Sequence, residues 1–177
     1  MIRVLRPGLL TTVQDIGRHG LQHLGIVPCG GMDSVALRLA NGLVGNDSKA
    51  AALEITVLGP ELAFDVDALV AICGAEMEVM SGGRPVASNR PFLMSKGSTL
   101  HARRVTLGSR AYLAVAGGIA VPPVLGSRST YMPAKFGGFG GRALKAGDVL
   151  PLADDAAALA IKRYLKLTRR EERHGIR

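Results

Sequence analysis

The chain has no tryptophan, only three tyrosines and four phenylalanines, and two cysteines among 177 residues. No apolar run approaches the roughly 18 residues that a membrane span requires, and the opening MIRVLRPGLL holds no stretch long enough for a signal peptide. Both absences lead to the expectation of a cytoplasmic protein that does not enter a membrane. Cys29 and Cys73 match no metal-ligand spacing, and a pair so far apart lays down no disulfide framework. Cys73, inside the apolar run ALVAICGA, reads as a small buried hydrophobe. Glycine is plentiful, yet neither a Walker A loop nor a strand–GxGxxG–helix fingerprint occurs, so the commonest nucleotide-binding signatures are missing.

Acidic residues are also scarce, 14 Asp/Glu against 22 Lys/Arg, for a net charge of +8. Residues 1–152 carry 15 basic and 10 acidic side chains, net +5, and residues 153–177 carry 7 and 4, net +3. In the body the basic residues stand singly in strand-like segments with few aromatics between them, which argues against a nucleic-acid surface. A basic face toward small anions, or plain solubility, accounts for the charge better.

What is present is a succession of short strands. Residues 2–13 alternate weakly and break at Pro7-Gly8. From Leu53 to Leu152 the segments LEITVL, ELAFDV, ALVAICG, EMEVMS, RPVAS, PFLMS, STLHARRV, RAYLAVAGG and DVLPL are β-branched or alternating. Turn signals such as Gly59-Pro60, Gly82-Gly83, Lys96-Gly97 and Gly108-Ser109 separate them. One helix interrupts the pattern, DSVALRLANGLVGN. Asp33 is its N-cap, Val35, Ala36, Leu39, Ala40 and Leu43 form its apolar face, and Gly45-Asn46 stop it. Gly42 weakens that helix and implies close packing against it. Many short strands with one helix predict a mainly β domain, a barrel or sandwich, over residues 1–152. Residues 153–177, Ala-rich and then charged, predict an appended basic helix or a disordered linker.

Four places concentrate chemistry. In TTVQDIGRHG, Gln14 and Asp15 either close a local turn around Gly17, or Asp15 fixes Arg18 in an ion pair that presents guanidinium donors to a carboxylate or phosphate. His19 and His23 are four apart, but the glycines oppose a helix there, so no metal site is expected. The segment around this stretch, residues 14–32, is long for a loop, and Leu21, Leu24, Ile26 and Val27 are placed to pin it down. PCGGMD sets Gly30 and Gly31 before Asp33 and the helix, where free N–H groups favour an anion, or make a plain tight turn; Cys29 has no evident base beside it. Glu54 interrupts an apolar strand, so it faces solvent or is buried and paired with an arginine. The Gly-rich stretch 114–148 offers Ser127, Arg128, Ser129 and Thr130, read either as an oxyanion site or as a structural bridge between strands.

Taken in order, RPGLLTTVQDIGRHGLQHLGIVPCGGMDSVALRLANGLVGN, ALEITVLGPEL, ICGA, YLAVAGGIAVPPVLGSRSTY and GGFGGRALKAGDVL resemble the biotin-dependent carboxyltransferase / allophanate hydrolase subunit 2 family. Its members include the C subunit of 5-oxoprolinase, also described as the KipI antagonist. The resemblance runs over about residues 3–152 and corresponds to the N-terminal half of a typical member. It implies a cyclophilin-like β-barrel, one of a tandem pair. It also implies part of an ATP-dependent 5-oxoprolinase that converts 5-oxoproline to glutamate with a KipI-like B subunit and an A subunit, the ATP being used with the partner. Two other readings remain beside it: a non-catalytic module that binds and regulates a KipI-like partner, and a carboxyltransferase domain of a biotin-dependent urea or amide carboxylase. The family's recurrent polar positions fall on Gln14, Asp15, Gly17, Arg18, Gly30, Met32, Asp33, Glu54, Arg128 and Ser129. On this basis Asp15, Arg18 and Arg128 are expected to be catalytic, Arg18 and Arg128 holding a carboxylate or phosphorylated intermediate. Gln14, Gly30, Gly31, Asp33, Glu54 and Ser129 are expected to bind substrate. Cys29 stands where serine is usual in the family, and Gly31 where alanine is usual.

Overall fold

The computed structural model describes residues 1–173. Strands β1 (Ile2–Arg6) and β2 (Leu10–Gln14) flank the Pro7-Gly8 break, and a 3-10 turn (Gln22–Leu24) precedes helix α1 (Ser34–Leu43). Then come β3 (Ala52–Thr56), β4 (Glu61–Phe64), β5 (Ala68–Ser81), β6 (Arg84–Pro85), β7 (Pro91–Met94), β8 (Thr99–Val115), β9 (Val149–Leu150) and helix α2 (Asp154–Arg173). The segment expected to be a helix or a linker is therefore helical through Arg173; its last four residues lie outside the described residues. No described helix is long and apolar enough to cross a membrane.

The strands form one antiparallel sheet in the order β2-β3-β8-β4-β1-β9, with β5 along β8 and carrying β6 and β7. Strand β8 belongs to two neighbourhoods. Its C-terminal part pairs with β3 (Leu53 opposite Leu113, Thr56 opposite Arg110), and its N-terminal part pairs with β4 (Glu61 opposite His101). Between them the register against β5 jumps, from Gly74 opposite Ala111 to Glu76 opposite Leu107. Extra residues on one strand bend it and increase local twist, so the sheet curls into a half-barrel. Gly108-Ser109 is thus a bulge inside β8 and not the turn expected from the sequence. For the same reason ALVAICG and EMEVMS are one strand, as are STLHARRV and RAYLAVAGG.

The period of two along the strands sorts the core. Val13, Leu53, Ile55, Val70, Ile72, Leu113 and Val115 fill the inside of the curl. Their alternates Ala52, Leu69, Ala71, Cys73, Tyr112, Ala114 and Ala116 face the opposite way, toward α1. The alanines on that side let the helix approach closely. It docks through Ala36, Leu37, Ala40 and Val44, whereas Val35 (74% exposed) and Leu39 (50% exposed) point to solvent, so the expected apolar face is rotated. Contrary to expectation, a β-carbon on Gly42 would have no neighbour within 4 Å among the described residues. Asp33 is the N-cap, its Oδ1 accepting from the Val35 and Ala36 N–H groups at 3.0 and 2.9 Å. Helix α2 lies on the same side of the sheet, through Ala157, Ala160, Ile161 and Tyr164.

Beyond α1, Asn46 joins helix and sheet. Its Nδ2 donates to Asn41 Oδ1 (2.9 Å) and the Val115 carbonyl (2.8 Å), and its Oδ1 accepts from Gly117 N–H (2.8 Å). Asn46→Ala removes all three bonds and is expected to lower stability by about 1–3 kcal/mol, measurable as a reduced urea midpoint at unchanged slope.

Candidate functional site

Strand β2 ends at Gln14, and the next residue organises its surroundings. The Asp15 carboxylate accepts hydrogen bonds from Ser127 Oγ (2.6 Å), Ser129 Oγ (2.5 Å), Arg128 N–H (2.6 Å) and Gly17 N–H (2.8 Å). Burial by itself would raise the carboxyl's pKa. The hydrogen bonds from Ser127, Ser129, Arg128 and Gly17 together outweigh burial and hold it below the ordinary value of 3.8. The chemistry expected of the Ser127–Thr130 hydroxyls is thereby spent within the chain: two serines serve Asp15, and Thr130 Oγ1 donates to the Val13 carbonyl at 2.8 Å. Of the two readings of this stretch, the structural bridge is the one observed for its hydroxyls.

Asp15 does not pair with Arg18. The expected ion pair is absent because the serine hydroxyls and two backbone N–H groups already take up the carboxylate. The Arg18 guanidinium instead donates from Nη2 to the Ser129 carbonyl (2.5 Å) and lies over the Phe136 ring, 4.8 Å from its centroid. Arg18 is 2% exposed, its Nε and Nη1 have no acceptor, and no carboxylate forms an ion pair with it among the described residues. Gln14 reaches the same stretch of chain: Nε2 donates to Thr12 Oγ1 (3.0 Å) and the Thr130 carbonyl (3.4 Å), and its Oε1 is buried without a donor. Arg128 joins only by its backbone; its Nε donates to the Val121 carbonyl at 2.8 Å. His19 is exposed, Nε2 lying 3.0 Å from the Ile16 carbonyl.

Of the four apolar residues expected to pin the loop from 14 to 32, Leu21 and Ile26 are half-buried whereas Leu24 and Val27 are exposed, and backbone contacts add to the hold. Gly17 and Gly30, both at positive φ, allow the two ends of the loop to meet. A β-carbon on Gly17 would stand 2.6 Å from the Cys29 carbonyl oxygen, and one on Gly30 would stand 2.9 Å from Gly17 N. Arg18 N–H donates to the Pro28 carbonyl (2.8 Å) and Gly31 N–H to the Asp15 carbonyl (2.9 Å). Cys29 itself sits at φ 55°, half-buried.

A second cluster lies one strand over. Thr12, Glu54, Tyr112 and Cys73 are in register across β2, β3, β8 and β5. Glu54 Oε2 accepts from Met32 N–H (2.8 Å) and Tyr112 Oη (2.7 Å), and Tyr112 Oη accepts from Asp33 N–H (2.7 Å). Glu54 Oε1 is 3.8 Å from Arg110 Nε, so the paired reading of this carboxylate is the observed one. Burial pushes the Tyr112 hydroxyl's pKa well up, with Glu54 beside it acting in the same direction, and burial raises the Cys73 thiol to about 11. The N–H groups of Gly31, Met32, Asp33, Val35 and Ala36 are all taken by acceptors of the chain itself. Most of the N–H groups expected to hold an anion at PCGGMD are therefore engaged by Asp15, Glu54, Tyr112 and Asp33. Beside this cluster opens a groove of about 500 Å³, lined by Met32, Asp33, Glu76, Leu107 and Arg110 among others. Tyr112 escaped the sequence reading, although a phenol within an apolar strand requires a partner for its hydroxyl. Phe136 and Ser127 escaped as partners because they lie more than a hundred residues from the groups they touch.

The family model described as "Carboxyltransferase domain, subdomain A and B" matches residues 24–176. The chain belongs to this family. It is 45% identical to the C subunit of 5-oxoprolinase from Escherichia coli over 169 residues, 93% of this chain and 54% of that protein. It is 45% identical to urea amidolyase of Lachancea kluyveri over 148 residues, 83% of this chain and 8% of that protein. The crystal structure of Kluyveromyces lactis urea carboxylase superposes with a TM-score of 0.84 at 47% identity, covering 85% of this chain and 14% of that one. This carboxyltransferase-family chain thus spans about half the length of the 5-oxoprolinase relative and a small part of the amidolyase.

Asp15→Asn in this carboxyltransferase-family chain places an amide N–H₂ against donors that need an acceptor. It is expected to cost about 1–3 kcal/mol near neutral pH. Because the folded-state pKa of Asp15 lies below 3.8, its contribution is fully present above that value and is lost as pH falls through the lower folded-state pKa. Thermal unfolding from pH 7 to pH 2 should show a steeper acid limb for the wild type than for the variant.

Proposed function

We propose that the chain acts as part of the C component of an ATP-dependent 5-oxoprolinase, converting 5-oxoproline to glutamate with a KipI-like B component and an A component in the cytoplasm. The observation that carries this reading is the 45% identity to the Escherichia coli C component over 93% of the chain. The geometry adds how the work is divided. Asp15 is committed to four internal hydrogen bonds, Glu54 to three groups, and Cys29 has no base bonded to it. Asp15 and Glu54 fasten the loops of the candidate site, and the chemistry on this reading requires the partners. Most of the N–H groups at the start of α1 and in the 127–130 stretch serve acceptors within the chain, which supports placing ATP on a partner. ATP on this reading is bound by a partner protein.

A second reading is favoured by a specific likeness, the TM-score of 0.84 to urea carboxylase. There the chain would serve carboxyl transfer from biotin to a small amide. A third, a non-catalytic regulator of a KipI-like partner, draws on the same internally satisfied polar groups. One reconstitution separates them. With the B and A components present, ATP-dependent release of glutamate from 5-oxoproline is expected to require this chain, and the chain alone is expected to give none. Turnover by those two components that is indifferent to the chain, or activity that appears only with a biotin carboxylase and carrier, overturns the 5-oxoprolinase reading.

A further inference from the structure

Helix α1 carries two apolar stripes, and the described fold buries only one. Ala36, Leu37, Ala40 and Val44 pack on the sheet. Val35 and Leu39 are exposed, and Gly42 continues their stripe at the spacing i, i+4, i+7. A glycine inside a helix weakens it, yet a β-carbon on Gly42 would meet no described atom within 4 Å. The open space there belongs to a groove of about 260 Å³ between the two helices. Gly42, Leu43 and Gly45 line it from α1 and the turn that follows, and Leu159, Arg163 and Leu167 line it from α2. On α2 the positions Ala157, Ala160, Ile161 and Tyr164 are used against the sheet, which leaves Leu159 and Leu167 exposed. The groove is thus the junction of two unpartnered apolar stripes.

The charge around it has one sign. Arg38 is exposed on α1, which has no Asp or Glu between Ser34 and Leu43. Lys162, Arg163 and Lys166 are exposed on α2, which has none between Ala157 and Thr168. No described carboxylate forms an ion pair with any of these four cations. Two copies of the chain meeting through this face would bring like charges together, which disfavours a second copy. A flat anionic membrane suits the charge but leaves the recess at Gly42 unfilled. We infer that the outer faces of α1 and α2 are a docking surface for an acidic, amphipathic helix of another protein. Its apolar side chains lie along Val35 and Leu39 and enter the groove beside Gly42, and its flanking carboxylates meet Arg38, Lys162, Arg163 and Lys166. The missing β-carbon at Gly42 is what lets that helix come close. None of the groove's lining residues belongs to the Asp15–Arg18 cluster, so such docking requires neither the 5-oxoprolinase nor the carboxylase reading.

The whole chain is titrated against a fluorescent synthetic helix of about 18 residues, with leucines along one face and glutamates on both flanks. A twin peptide carries lysines in place of the glutamates. Saturable binding of the acidic peptide is expected, weakened by salt, with the basic twin bound at least about tenfold more weakly. Gly42→Leu fills the groove. It should bind the acidic peptide at least about tenfold more weakly, yet melt no lower than the wild type, because leucine favours the helix. Arg163→Glu should shift the preference toward the basic twin. Arg84→Glu changes an exposed cation paired with the opposite end of β5 from Leu69, which lines the groove, and should leave binding unchanged. An equal loss in Arg84→Glu marks attraction to net charge alone and overturns the docking surface. So does peptide binding that Gly42→Leu leaves intact, or no saturable binding of the acidic peptide. Two other occupants would show themselves directly. A dimer in sedimentation equilibrium that Gly42→Leu dissociates assigns the face to a second copy. Phosphatidylglycerol vesicles that displace the peptide and hold Gly42→Leu as well as the wild type assign it to a lipid surface. Either result overturns docking of an acidic helix.

Discussion

The carboxylate of Asp15 ties the end of β2 to a segment more than a hundred residues downstream, and most of the site follows from that attachment. Four donors converge on it, two hydroxyls and two backbone N–H groups, so the charge is dispersed without any cation. A carboxylate satisfied this way is a better structural node than one in an ion pair, since each bond fixes the position of a different stretch of backbone. Gly17 N–H fixes the start of the polar loop, Arg128 N–H and the serines fix the Gly-rich stretch, and the Asp15 carbonyl accepts Gly31 N–H from the far end of the loop. The Ser129 carbonyl is thereby presented to Arg18 at a defined place.

The second cluster extends the same logic across the sheet. Glu54 and Tyr112 receive the Met32 and Asp33 N–H groups, so the segment running from Pro28 into α1 is held at one end by Asp15 and at the other by the strand row Thr12–Glu54–Tyr112. The polar groups that look reactive in the sequence are thus chiefly fasteners between loops. Backbone contact at Gly17 and Gly30 does what hydrophobic anchors do in most loops, and this explains how the segment can be well placed while Leu24 and Val27 remain in solvent.

Much of this was legible in the residues. Alternation and turn chemistry between Leu53 and Leu152 correctly indicated a mainly β domain with a single body helix capped by Asp33, because those signals are local. Gly108-Ser109 misled because a glycine at positive φ serves a bulge as readily as a turn, and only the pairing of β8 with two neighbours distinguishes them. The partner of Asp15 could not be read either. Arg18 is three residues away and opposite in charge, whereas Ser127 and Ser129 are distant and neutral, and nothing local reveals that distant hydroxyls arrive first. The rotation of α1 has a similar cause: Val35 and Leu39 satisfy the helical period as well as Leu37 and Val44, and the alanine-rich face of the sheet decides between them.

The contrast between the two carboxylates and the one guanidinium is what gives the site a direction. Asp15 and Glu54 are compensated by groups within reach, Asp15 by four donors and Glu54 by two donors and the nearby Arg110. Arg18 is compensated by a carbonyl and an aromatic face alone, both of which orient a cation without neutralising it. A charge buried in that state is destabilising on its own account, by several kcal/mol in typical cases. The fold tolerates it because the Asp15 node holds the surrounding backbone rigid from independent bonds. The cost of ordering and desolvating this cation is therefore met during folding, by bonds that do not involve it.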